Sequence, residues 1–299
     1  MTEVMNLTLH AHSRIGLLLC IAILSFSCRH ANDTTQPIDT TTQTVTFLVD
    51  VPNITFDSGD AAASACGICA ASGEGDLSLS QANMTDLWVL EDGVLLAHQT
   101  STDPAFGSPS VELPYGEHTI TFVSSPQPDQ TFVDGVWSAP KAADTFGYIA
   151  DIFVSSSSST EPIVLYRLTY GLKWQSTDLV PSGTKTLRLS VSPMRESLTD
   201  GLHATNPYTR TYTYDVSAYI GRTISVTVYG LPAEYMVEDN ITTTIDFLDA
   251  AGSVLFTHTA TAPVLSNRRT ILSGRMFSNS ASTAIRLNSE WLTDYETTF

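Results

Sequence analysis

The feature that most constrains this chain is a two-residue hydrophobic period that recurs from one end of its body to the other. Val45, Phe47, Val49 and Val51 alternate with polar residues, as do Leu187, Leu189 and Val191, and later Tyr208, Tyr212, Tyr214 and Val216. A strand turns successive side chains to opposite faces, so this pattern gives one buried and one solvated face. No long stretch places apolar residues at i, i+3, i+4 and i+7, the spacing an amphipathic helix requires. Ser and Thr are abundant and charged residues make up only 15% of the chain. The fold class this predicts is all-β, built of sandwiches with turns between short strands.

Turn chemistry supports the reading. Leu87–Leu90, then Glu91-Asp92-Gly93, then Val94–Leu96 reads as a hairpin, because Asp-Gly supplies the positive φ of its tight turn. Phe247-Leu248-Asp249-Ala250-Ala251-Gly252-Ser253-Val254-Leu255 echoes it. Pro114-Tyr115-Gly116 is a turn before a strand at 118–123, and another strand is expected over 148–154. In the second half, strands are expected at 163–170, 185–191, 208–216, 223–229, 241–248, 253–259, 270–277 and 283–288. Ser155–Ser159 and the following Thr160, Glu161 and Pro162 form the best candidate linker. The expected organisation is a processing segment over 1–27, a tether over 28–42, a sandwich over 43–154, a linker over 155–162 and a second sandwich over 163–299.

The N-terminal segment carries the one long apolar run. Ile15 to Phe26 reads IGLLLCIAILSF, with Arg14 before it and Ser27-Cys28 after it. A membrane-spanning helix needs ~20 apolar residues, so the run fits the core of a secretory signal instead. Small residues at Ser25 and Ser27 suit plain cleavage. Cys28 directly after the cut resembles the lipobox of bacterial lipoproteins, whose cysteine carries the lipid anchor. Residues 29–42 are polar and aperiodic, as a flexible tether would be. Arg29 and His30 follow the cysteine, whereas some surface-exported lipoproteins resemble one another in an acidic cluster there.

Charge excludes further classes. Over 41–154 there are 15 acids and one base, Lys141, a net charge of −14; over 161–299 there are 13 acids and 11 bases. Between Arg29 and Lys141 there is no Lys or Arg. Nucleic acid and anionic headgroups both require basic clusters, so no nucleic-acid partner is expected. The mature cysteines other than Cys28 are Cys66 and Cys69, in a Gly/Ala/Ser-rich loop over 56–82. They read as a disulfide-bonded local staple or as free thiols. A thioredoxin-like site would need a βαβ setting, and zinc a second ligand pair.

Nothing in the sequence marks catalysis. There is no Gly-x-Ser-x-Gly, no His-Glu-x-x-His, no phosphate loop and no EF-hand loop, so no catalytic residue, metal or cofactor is expected. Trp88, Trp137, Trp174, Trp291 and the Tyr208–Tyr219 cluster are either sheet packing or platforms for sugars.

Several short pieces resemble Bacteroidales fimbrillin-type proteins. Asn267-Arg268-Arg269-Thr270-Ile271-Leu272-Ser273-Gly274-Arg275-Met276-Phe277 resembles their late-strand motif, roughly N-x-x-T-x-x-x-G-x-x-F. Ile285–Trp291 resembles their closing strand. Leu165-Tyr166-Arg167-Leu168-Thr169-Tyr170 is similar to their Leu-x-Arg-x-Ala-x segment, with Thr169 in place of Ala. The resemblance implies two transthyretin-like Greek-key sandwiches, a lipid on Cys28, the outer membrane or fimbrium as location, and other fimbrial subunits or surface ligands as partners. It also implies assembly by β-strand addition. Stalk subunits of that family are cut after an Arg or Lys beyond the lipid and lose their first strand. The base-free stretch of this chain departs from that pattern and suits an anchor or accessory subunit. A glycan-binding lipoprotein of a polysaccharide-uptake system is the alternative expectation.

The lipid assignment has a direct test. Metabolic labelling with a palmitate analogue is expected to mark the wild-type chain and to miss Cys28→Ser. Equal labelling of both would exclude Cys28 as the acylated residue.

Overall fold

The structure, a computed structural model, describes residues 41–52, 76–140, 143–278 and 283–288, the last stretch by backbone alone. All of them lie in one compact unit, Asp39–Phe299. They form strands and turns, with a single 3₁₀ turn at Ser217–Tyr219 and no α-helix among the described residues. In chain order the first half carries β1 (Thr42–Val51), β2 (Leu77–Ser78), β3 (Asp86–Glu91), β4 (Val94–Thr100), β5 (Ser110–Pro114), β6 (Gly116–Ser125), β7 (Thr131–Val133), β8 (Val136–Ser138), β9 (Phe146–Val154), β10 (Thr160–Val164) and β11 (Tyr166–Arg167). The second carries β12 (Tyr170–Ser176), β13 (Thr186–Met194), β14 (Ser197–Thr199), β15 (Ala204–Thr205), β16 (Tyr208–Asp215), β17 (Ser225–Gly230), β18 (Asp239–Leu248), β19 (Val254–Val264), β20 (Arg269–Gly274) and β21 (Thr283–Asn288).

These strands make two sandwiches. In the first, β10, β1, β2 and β5 form one sheet, and β11-β9-β6-β3-β4 the other. Their shared core is built by alternation: Val45, Phe47, Val49 and Val51 from β1 meet Leu87 and Val89 from β3 and Ile120 and Phe122 from β6. In the second sandwich, β17-β12-β20-β21 packs on β16-β13-β18-β19, around Leu172, Trp174, Leu187, Leu189, Ile245 and Phe247.

The expected hairpins are present and their turns explain themselves. Asp92 and Gly93 have φ of 48° and 72°, the left-handed pair that a two-residue β-turn of this hand needs. Gly252, at φ 84°, closes the turn between β18 and β19. Side-chain alternation on β16 also holds: Tyr212 and Tyr214 sit opposite Leu189 and Leu187 and pack against the second core.

The boundary between the sandwiches differs from the expectation. The serine run is only a surface turn, with Ser158 N–H bonded to Ser155 O. Beyond it, β10 lies parallel to β1, with Thr160 beside Thr46 and Ile163 beside Val49. Leu165 enters the first core and β11 pairs with β9. The expected strand over 163–170 is therefore three pieces, and the chain changes sandwich at Leu168–Thr169. The physical reason is that Ile163 and Leu165 are apolar and bury on the nearer sheet, while the polar serines sit in solvent.

The halves are also joined more closely than two beads on a linker. The hairpin β7–β8 of the first half pairs edge to edge with the hairpin β14–β15 of the second, giving a small sheet in the order β15-β14-β8-β7. Leu198 lies opposite Trp137. Beneath it a third core gathers Trp88, Val123 and Trp137 from the first half with Leu168, Leu198, Leu202 and Leu231.

β1 is integral to this body. Phe47 and Val45 are fully buried, and full burial of one such side chain is worth about 1.5–3 kcal/mol. Phe47→Ala is expected to lower unfolding free energy by about 3–5 kcal/mol. Leu48→Ala, on the outer face of the same strand, is expected to change it by about 0.5 kcal/mol or less. Chemical denaturation of both variants checks the contrast.

Candidate functional site

The first element of interest is β1 and what holds it. One side of its main chain is bonded along its length: Tyr115 N–H donates to Thr41 O, Phe47 N–H to Pro109 O and Val49 N–H to Gly107 O. On the other side Thr46 N–H donates to Ser159 O, and Asp50 O accepts from Leu165 N–H. The strand thus fills the position between β10 and β5, with its apolar side chains as the floor of the first core. β10, outside it, carries Pro162, which has no N–H to offer a further strand. Asp50 lies one residue before the end of the strand, and burial, followed by the Asp76 carboxylate, raises its pKa.

The second element is the joint. Arg167 is completely enclosed, and its Nε and Nη2 donate to Asp144 Oδ1 and Oδ2 at 2.6 and 2.8 Å. This is the two-pronged arrangement that matches a guanidinium to a carboxylate. Thr169 Oγ1 donates to the same Asp144 at 3.1 Å, and Arg167 lies over the Phe146 ring at 5.1 Å. Arg167 Nη1 reaches Asn267 Oδ1 at 3.4 Å, while Asn267 N–H donates to Thr169 O at 2.8 Å. Asn267 has φ 56°, a left-handed turn conformation that Asn tolerates well.

The two motifs singled out in the sequence therefore meet here, and each of their marked residues has a structural task. Asn267 receives Arg167. Thr270 Oγ1 donates to Pro263 O at 2.6 Å. Gly274 O accepts from Thr177 N–H, and Phe277 packs against Phe247 at 4.5 Å between ring centres. Asp178 receives the N–H groups of Met276 and Phe277 at 2.8 and 3.0 Å.

The third element is a tyrosine rim at the edge of the second sandwich. Tyr208 donates to Glu196, which also accepts from Arg210 Nη1 at 3.3 Å. Arg210 lies over Tyr212 at 5.6 Å, and Tyr212 stacks beside Tyr214 at 6.4 Å. Burial, then the bond to Glu196, pushes the Tyr208 phenol up to about 12. Burial raises Tyr170, Tyr212 and Tyr214 as well. Arg210 also donates to Pro140 O at 3.3 Å, so the rim touches the first half.

The aromatic-platform expectation is narrowed by burial. Trp88, Trp137 and Trp174 are 6%, 1% and 1% exposed, so none presents a ring face to a sugar. Trp88 and Trp137 both donate to Gln130 Oε1, and Trp174 donates to Thr243 Oγ1. The histidines serve local contacts: His98 stacks on Trp88 and bonds Asp86, His118 bonds Glu91, and His258 bonds Met276 O. The concavity at the joint, bordered by Leu168, Leu198, Leu202 and Tyr235, has no room for a small molecule. Among the described residues no group of three His, Cys, Asp or Glu side chains is arranged to hold a metal ion. Cys28, Cys66, Cys69 and Trp291 lie outside the described residues.

No family model and no curated sequence matches the chain. Solved structures that it resembles include a candidate polysaccharide-binding protein from Bacteroides thetaiotaomicron, at 13% identity and a TM-score of 0.48, covering 85% of this chain and 98% of that one. The fimbrial anchor protein Mfa2 from Porphyromonas gingivalis aligns at 10% identity and a TM-score of 0.46, over 84% of this chain and all of that one. A candidate adhesin from Bacteroides ovatus aligns at 8% identity and a TM-score of 0.46, over 75% and 84%.

Two measurements probe the site. Arg167→Met strands a buried carboxylate at Asp144, and a loss of about 3–5 kcal/mol is expected; adding Asp144→Leu should recover much of it. The tyrosine rim sets an alkaline limit. A raised phenol pKa stabilises the fold fully below the unfolded value of about 10, and the contribution is lost as pH rises through the folded value. For Tyr208 that window runs from about 10 to about 12. Unfolding followed by tyrosinate absorbance should fall in it, with Tyr208→Phe showing a shallower decline there.

Proposed function

We propose that this chain is a lipid-tethered fimbrial subunit of the anchor or accessory kind, concerned with surface adhesion or fimbria assembly, that keeps its first strand. The observation that carries the proposal is the combination at β1. A strand that stalk subunits of the resembled family give up is here a central, fully paired element of the first sheet. The chain ahead of it offers a trypsin-like protease Arg29 beside the lipid and no Lys or Arg from there to Lys141. A body with its own strand in place cannot accept a donor at that position. It can serve as a fixed end.

The tether completes the reading. Lipid on Cys28 would hold the body at the outer membrane through residues 29–41, while the sandwiches, joined through a shared sheet, transmit load as one piece. Partners are then other fimbrial subunits or surface ligands, met by β-strand addition at a different edge.

The test uses cells. Deleting the gene, or replacing Cys28 by Ser, is expected to release fimbriae into the medium while polymerisation continues. Fimbriae that stay attached in both strains would refute an anchoring role. A mature N-terminus beyond Val51, found by mass spectrometry of the native protein, would separately refute strand retention.

A further inference from the structure

A sheet edge is a row of unpaired N–H and C=O groups, and folded proteins blunt such edges with charge, proline or brevity. Among the described strands, the edges follow that rule with one exception. β10 carries Glu161 and Pro162, β5 carries Glu112, β16 carries Arg210 and Asp215, and β21 carries Arg286. β4 is uncharged but spans only seven residues. β19 is the last strand of its sheet, eleven residues long, and reads VLFTHTATAPV without a single charged residue. Its only proline, Pro263, is one residue from its end.

We infer that the outer edge of β19 is a self-association edge that pairs with β19 of a second copy of this chain, antiparallel about a two-fold axis at Thr259. Three observations favour this occupant. The first is charge. Of the chain's net charge of −17, −14 lies over 41–154, which opposes close approach of two copies through the first half. β19 lies in the near-balanced second half and is itself uncharged.

The second is self-complementarity on the solvent face. Thr257, Thr259 and Thr261 point outward and are exposed. Within the sheet such threonines already pair hydroxyl to hydroxyl across strands: Thr242 with Thr261 at 3.1 Å, and Thr244 with Thr259 at 3.0 Å. A two-fold at Thr259 continues the same ladder, placing Thr259 beside its own copy and Thr257 beside the partner's Thr261. It also sets Leu255, 40% exposed, opposite the partner's Pro263.

The third is complementarity at the ends. β19 is preceded by the turn at Asp249 and followed by the loop at Arg268, residues of opposite charge. Antiparallel pairing brings the Asp249 end of one copy to the Arg268 end of the other, whereas parallel pairing would bring like ends together. An isologous pair of this kind closes on itself and does not propagate. Copies held on one membrane by a tether would meet at high effective concentration, which a single strand-to-strand contact needs. The pairing belongs to the second sandwich and does not depend on how the first strand is processed.

Cysteine trapping in the full chain on cells tests it. Directly opposed residues of an antiparallel pair have Cα atoms about 4.5–5.5 Å apart, within the Cα separation a disulfide spans, so Thr259→Cys is expected to give a disulfide-linked dimer under mild oxidation. Thr213→Cys, also exposed and on the opposite edge strand β16, and the wild-type chain should give none. Adding Arg268→Glu to Thr259→Cys should cut the dimer band severalfold. Absence of the Thr259→Cys dimer, or an equal yield from Thr213→Cys, would overturn the proposal. As an independent readout, detergent-purified wild type should sediment as a concentration-dependent dimer and Thr261→Lys, with unchanged Tm, as a monomer. A wild type that stays monomeric would also overturn it.

Discussion

A guanidinium with no solvent access can persist only against a carboxylate held in the right place, and the arrangement of the two sandwiches follows from that requirement at Arg167. Asp144 enters β9 of the first sandwich, Thr169 enters β12 of the second, and Asn267 begins the turn into β20. One ionic cluster therefore fixes three chain segments at the crossover. Replacing such a pair by apolar residues can be neutral or stabilising in general, so its value lies elsewhere than in raw stability. A purely apolar contact would tolerate a small slip between the sandwiches. The two-pronged contact, with Thr169 and Asn267 on the remaining sites, tolerates very little.

The shared sheet acts in the same direction. Outward side chains of β3 and β6, Trp88 and Val123, would face solvent in an isolated sandwich. The hairpin β7–β8 covers them and pairs its own edge with β14 of the other half. Gln130 makes this cover possible. Its carbonyl accepts from both Trp88 and Trp137, and its amide donates to Thr85, Asp86, Ser125 and Gln127. Two indole N–H groups are thereby satisfied beneath a strand pair that no water need enter.

Much of this architecture is legible in the sequence, and the parts that are not have physical reasons. Alternation at Val45–Val51 and at Leu187–Val191 announces strands because each has one wet and one dry face. Asp92-Gly93 announces a hairpin because few dipeptides adopt its turn. Val133-Asp134-Gly135-Val136 carries the same signal, with Asp134 and Gly135 at φ of 51° and 77°, and marks the β7–β8 hairpin, whose strands of three residues each are too short to show an alternating pattern. The domain boundary misleads because composition reports exposure and not connectivity. Five serines mark a solvated turn, whereas the true crossover at Leu168–Thr169 is buried and looks like any strand. The Asp144–Arg167 pair spans 23 residues, and no local pattern reveals such a contact. The residues with the clearest chemical identity, Cys28, Cys66 and Cys69, lie outside what the structure describes.

The base-free stretch has a cost that sharpens its meaning. Fifteen acids over 41–154 face only Lys141, so the first half cannot neutralise its surface with Lys or Arg in the usual way. It uses substitutes. Asp103 accepts from Thr100 N–H and Oγ1, Asp151 from Thr119 Oγ1, Glu91 bonds His118, and Asp86 bonds His98 and Gln130. Hydroxyls, amides and imidazoles do what ammonium and guanidinium groups do elsewhere. Among the described residues, the guanidinium that reaches an acid of this half by a salt bridge is that of Arg167, which comes from beyond the stretch and is buried where a protease cannot approach it. The same composition leaves the stretch between Arg29 and Lys141 without a trypsin-like cleavage site. Under the proposed anchor role, a first strand that is paired on both sides and a stretch with no Lys or Arg between Arg29 and Lys141 are two independent supports for a strand that stays.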